Sequence, residues 1–113
     1  MRIVLDTNVL VSGLLNPAGA PGRLVDLIVT GEVELAVDDR ILIEYDAVLR
    51  RPKFGFHARD VVALLDYIRS AAHHVQAPPL SVRLAHPADA TFVEVAAAAG
   101  ADSLVTGNAR HFA

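Results

Sequence analysis

The chain has no cysteine among its 113 residues. Disulfides and thiolate metal sites are therefore excluded, and a reducing compartment fits. A metal would have to be held by oxygen or imidazole, and hard divalent cations such as Mg²⁺ or Mn²⁺ prefer oxygen. Long apolar runs are also missing: none approaches the ~18 residues of a membrane span. The opening MRIVLD reaches its first acid too early to contain the apolar region of a signal peptide. The expectation is a cytoplasmic protein with no membrane partner. Positive charge is in short supply as well, with a net charge of −3 and a pI of about 5.9. That weighs against a protein that binds nucleic acid chiefly through a large positive field, but not against an enzyme whose metal ions supply the positive charge. The one dense basic patch, Arg50, Arg51, Lys53 and Arg59, suits a solvated surface as well as it suits phosphate contacts. There is no internal repeat, linker or low-complexity segment.

What is present is apolar. Hydrophobic residues make up 53% of the chain and mean hydropathy is +0.40, enough for one domain over residues 1–113 with one core. RIVL at 2–5 reads as a short buried strand. Asn8 to Leu15 suits a helix ended by Asn16-Pro17, and Pro21 suits the first turn of a second helix closed by Gly31. Leu35 to Val37 read as a second strand. Asp38-Asp39 open a third helix that stops before Pro52. Residues 58–72 make a fourth, with Val61, Val62, Leu64, Leu65 and Ile68 on its apolar side. Val75 and Pro78-Pro79 read as extended, 87–99 as a fifth helix ending at Gly100, and Ser103 to Thr106 as a third strand. Short apolar strands alternating with helices indicate an α/β fold, with a parallel sheet covered on both faces.

In such sheets, ligands bind beyond the carboxyl ends of the strands. Asp6-Thr7-Asn8 follows the first strand and Thr106-Gly107-Asn108 follows the last. If those strands are parallel and central, the two clusters lie side by side. Asp6 sits in VLDTNVL, between apolar residues, where an ionised carboxylate needs a partner or a cation. Glu44 lies at the edge of the stripe formed by Ile41, Leu42, Tyr45, Val48 and Leu49, a position open to a solvated flank or to an acid turned to the rim of the sheet. Asp89, near the start of the fifth helix, is open to a dipole-stabilised carboxylate or a site residue. Asp102 precedes its strand at the opposite end and reads as structural. If Asp6, Glu44 and Asp89 meet, carboxylates about 5 Å apart repel by roughly 3 kcal/mol at an effective dielectric of 20. A divalent cation resolves that conflict.

LDTNVLVSGLL, ILIEYDAVLRRPKF and HPADATFVEVAAAAGADSLVTGNARHF together resemble the PIN-domain proteins, nearly end to end and in the family's order. More narrowly they resemble the group described as toxin components of toxin–antitoxin systems. The resemblance implies a three-layer α/β/α domain with a central parallel sheet and a Mg²⁺- or Mn²⁺-dependent ribonuclease. Matched position by position, Asp6, Glu44 and Asp89 would hold the metal and Asn108 would take the fourth place, commonly Asp in the family. Asn8 would orient Asp6 or a metal-bound water, Thr106 would lie beside the site, and Arg110, a lone arginine near the end of the sequence, suits a solvated surface more than it suits a contact with the substrate backbone. The implied partners are an RNA substrate, a cognate antitoxin and a second copy of the chain.

Three departures stand out. The family's run of acids before the fifth helix is thinned to Asp89, with His86 and Ala88 in the other places. Asn108 is neutral. Relatives usually continue past the HF pair with a strand and often a helix, whereas this sequence stops at Ala113, as a short or truncated member would; a sheet short of that strand offers an open edge. These departures motivate a second reading, a catalytically weakened RNA- or protein-binding module. A third, a phosphoryl-transfer protein with an Asp6 nucleophile, would want a second Asp where Asn8 stands.

Overall fold

The computed structural model describes residues 1–76 and 90–106. In chain order it contains β1 (Arg2–Leu5), α1 (Thr7–Leu15), α2 (Ala20–Val29), β2 (Glu34–Val37), α3 (Asp39–Leu49), a 3-10 turn (Pro52–Phe54), α4 (Ala58–Ala71), β3 (His73–His74), α5 (Ala90–Ala99) and β4 (Ser103–Val105). The strands form one sheet in the order β3-β2-β1-β4, and every pairing is parallel. The fold is α/β, as the alternation predicts. Ile3, Val4 and Leu5 of β1 and Ala36 and Val37 of β2 lie in the core without measurable water contact beyond 1%, as expected of inner parallel strands.

The order of the strands fixes where the chain reverses direction across the sheet. From β1 the chain steps to β2 and then β3, and it returns to the far side of β1 as β4. The switch point lies between β1 and β4, where Leu5 pairs with Val105, and in open α/β sheets ligands bind at the carboxyl ends of the strands beside such a point.

Local sequence explains the helix ends. Asp38 caps α3 by accepting a hydrogen bond from the Ile41 N–H at 2.9 Å, and Asp39 stands in the first turn, where the dipole favours an acid. Gly22 is required by close approach between α2 and the preceding loop: a Cβ there would lie 2.2 Å from the Pro17 carbonyl oxygen.

The structure departs from the sequence reading in three places. A two-residue strand, β3, pairs Ala36 with His73 and Val37 with His74, so the expected third strand is the fourth. That strand, β4, is an outer strand among the described residues and not a central one. Val62 is exposed on α4, because only Val61, Leu65 and Ile68 keep the 3.6-residue spacing that faces the core. The extended stretch expected at Pro78-Pro79 and the first turn of the helix expected from residue 87 lie outside the described residues. Among the described residues no helix is long and apolar enough to cross a membrane.

Candidate active site

Strand β1 delivers Asp6 to the carboxyl end of the sheet. Its N–H donates to the Val105 carbonyl at 2.9 Å, which extends the β1–β4 ladder by one residue. Its side chain is buried. Oδ1 accepts the Asn8 N–H at 3.2 Å as the cap of α1, and Oδ2 accepts the Thr106 hydroxyl at 2.9 Å. The sequence expects a partner or a cation for the buried Asp6. A helix cap and a hydroxyl meet its hydrogen-bonding need. Its charge, however, has no protein counter-ion: neither Asp6 nor Glu44 pairs with Arg, Lys or His among the described residues.

Glu44 extends from the exposed edge of α3 and meets the start of α1, where the Thr7 hydroxyl donates to its Oε2. Thr7 is buried. Sequence reasoning missed its role and placed it only in the polar cluster after the first strand; the available signal was a hydroxyl residue at the first helical position directly after the acid. Asp6 and Glu44, far apart in sequence, are thus tied to adjacent residues of one helix start. Asn8 serves Asp6 through its backbone, and its exposed side chain makes no hydrogen bond among the described residues.

Tyr45 underlies both acids. It is fully buried, and its hydroxyl donates to the Leu5 carbonyl at 2.6 Å. Burial, reinforced by the charges of Asp6 and Glu44, raises its pKa well above the ordinary phenol value. The phenol therefore stays protonated and remains a donor.

A second acid group lies at the end of the neighbouring strand and is handled differently. Arg40 donates from Nε to Asp38 at 2.8 Å and from Nη1 to Glu94 at 2.7 Å. Both carboxylates are buried, and their hydrogen bonds, Glu94 first, hold the guanidinium above its usual pKa. Sequence reasoning missed Glu94, which sits in the alanine-rich apolar α5. The contrast is informative: Asp38 and Glu94 share a resident arginine, whereas Asp6 and Glu44 meet no cationic side chain among the described residues. At the opposite end of the sheet Asp102 accepts the Arg2 N–H at 2.8 Å, the structural role the sequence indicates.

Asp89, Asn108 and Arg110, with His86 and Ala88, lie outside the described residues. Among the described residues no three His, Asp or Glu side chains gather as a metal site. The donor set is nonetheless suited to a hard cation. A carboxylate offers about four acceptor positions. The described donors take one at each oxygen of Asp6 and one at Oε2 of Glu44. Oxygen-only ligation by one or two carboxylates, with water and phosphate completing the shell, is the ordinary way of holding Mg²⁺.

The family model described as PIN domain matches residues 2–110. An uncharacterized protein of Methanocaldococcus jannaschii is 38% identical over 53 residues, covering 47% of this chain and 34% of that protein. The chain thus spans about a third of the length of that curated relative. No solved structure gives a significant match. PIN domains are typically metal-dependent nucleases. With a parallel sheet, an acid at its switch point and a family match over nearly its whole length, the chain belongs to the PIN-domain family.

Proposed function

We propose that this protein is a Mg²⁺- or Mn²⁺-dependent endoribonuclease that acts as the toxin of a toxin–antitoxin pair. The observation that carries the nuclease reading is the acid pair, Asp6 with Glu44, which has no counter-ion among the described residues. Asp6, Glu44 and Asp89 would hold the ion, with Asn108 in the fourth position. When bound, such an ion lowers the pKa of water and offsets charge on the phosphodiester. The chain's own residues do the positioning. The Asn8 N–H and the Thr106 hydroxyl hold opposite oxygens of Asp6 and so fix the plane of its carboxylate. Thr7 steadies one oxygen of Glu44. The neutral Tyr45 supports the backbone at Leu5 without adding a third negative charge.

The test is cleavage of a single-stranded RNA with Mn²⁺. Asp6→Asn preserves the cap geometry and should lower the rate by at least 100-fold, as should chelation. Cleavage that survives either treatment overturns the reading. The toxin role rests on the family resemblance and predicts growth arrest on induced expression, absent in Asp6→Asn. The binding-module alternative draws on the neutral Asn108; it gains if calorimetry finds no Mn²⁺ binding at millimolar metal while RNA is still bound.

A further inference from the structure

A cleft of about 280 Å³ adjoins Glu44, with one wall formed by Thr7, Asn8 and Glu44 and the other by Arg51, Lys53 and Phe54. That volume is close to the lower end of small-molecule pockets, roughly 300–1,000 Å³. The sequence RRPKFG builds the second wall. Pro52 starts a 3-10 turn, the Phe54 N–H donates to the Arg51 carbonyl and the Gly55 N–H to the Pro52 carbonyl, each at 3.1 Å. Gly55 closes the turn at φ 69, a left-handed conformation suited to glycine. The three side chains are therefore carried on a short, fixed piece of backbone rather than on a loose loop.

The basic patch read from the sequence divides when placed in space. Arg50 is paired with Asp46 four residues earlier, and Arg59 does not line the cleft. Arg51 and Lys53 line it, and neither meets a carboxylate among the described residues. The Lys53 ammonium lies 5.1 Å from the centre of the Phe54 ring, within cation–π range. Phe56 stacks with that ring at 5.9 Å and 26°. Phe54 also borders a second cleft, along Asn8, Ser12 and Pro21, so its ring forms a ridge between two depressions. The cleft thus brings together Glu44, which has no counter-ion among the described residues, two cations that meet no carboxylate there, and an aromatic ring.

We propose that this cleft is the subsite for the nucleotide flanking the scissile phosphate of a single-stranded nucleic acid. Arg51 and Lys53 bind its phosphate and Phe54 supports its base. The chemistry matches what recognises unpaired strands: a cationic track for the backbone and an aromatic face for stacking. The inference rests on the nuclease reading for which phosphate is scissile, but its own readout is binding.

The experiment measures anisotropy of a labelled single-stranded oligoribonucleotide with the full chain in EDTA, across a salt series. Each phosphate contact contributes about 0.7 to the log–log salt slope of a single strand, so the double variant Arg51→Gln/Lys53→Gln should lose about 1.4 from the slope and bind roughly tenfold more weakly at low salt. Arg59→Gln, outside the cleft, should keep the wild-type slope. Phe54→Leu should bind at least about fivefold more weakly and Phe54→Trp should restore binding, because stacking needs a π face. An unchanged slope in the double variant, equal binding by Phe54→Leu, or equal affinity for duplex RNA overturns the subsite. Absence of cleavage with this binding intact overturns the nuclease reading alone.

Discussion

Replacing Tyr45 with Phe tests how the acid pair is supported. The substitution removes one buried hydroxyl and leaves the ring in place, so packing is preserved. What is lost is the 2.6 Å hydrogen bond to the Leu5 carbonyl, the residue directly before Asp6. Losing one partner of a buried hydrogen bond costs about 1–2 kcal/mol. At this chain length the loss corresponds to a fall in Tm of about 4–8 °C. The decisive feature is the pH dependence. Burial first, then Asp6 and Glu44, raise the folded-state pKa of Tyr45, while in the unfolded chain the phenol titrates near 10. A raised pKa contributes stability that is fully present below pH 10 and is lost as pH rises beyond it. At pH 11 the unfolded state gains RT ln(1 + 10), about 1.4 kcal/mol, from ionising a phenol that the folded state keeps neutral. The Phe variant has no such phenol. Urea titrations at pH 8 and pH 11 should therefore show the wild-type advantage shrinking by about 1.4 kcal/mol, nearly to zero. A gap that stays constant between the two pH values would show that Tyr45 is not held neutral beneath the acids.

Thr7→Val removes the donor to Glu44 from a buried position of nearly equal shape. It should change stability by less than about 1.5 kcal/mol, yet lower RNA cleavage about tenfold, and Thr7→Ser should recover most of that loss in the same assay. Gly22→Ala places a methyl group against the Pro17 carbonyl and should destabilise by about 1–3 kcal/mol or more, measured by urea unfolding. If Gly22→Ala unfolds at the wild-type midpoint, the close approach of α2 to the loop before it is wrong.

The legible parts of the fold were those with periodicity or punctuation. RIVL, the acid-capped α3 and the proline and glycine stops around α2 all emerge within a residue or two of their observed ends, because each depends on local chemistry. Strand β3 did not: two histidines carry no alternation, and only pairing with Ala36 and Val37 makes them a strand. In the site, Asp6 stood out as an acid in an apolar run, and its neighbour Thr106 as the polar end of another strand. The hydroxyl of Thr7 and the buried Glu94 were hidden. Their partners, Glu44 and Arg40, are 37 and 54 residues away, and no spacing rule links positions joined only by tertiary folding. Arg40 could not be anticipated as the cation that bridges Asp38 and Glu94 for the same reason.

The pairing of β1 with β4 also has a consequence for the order in which the molecule is made. Arg2 and Glu34 pair across 32 positions, whereas Leu5 and Val105 pair across 100. On loop-closure entropy alone the second pairing is harder by about 1 kcal/mol, and it must wait for the later residues to leave the ribosome. A nascent chain can assemble β1, β2 and β3 while Asp6 still lacks both the Val105 carbonyl and the Thr106 hydroxyl. The carboxylate at the heart of the site is therefore seated by the last described strand to be synthesised, and an incomplete chain holds Asp6 only through the local Asn8 N–H, without the Val105 and Thr106 contacts.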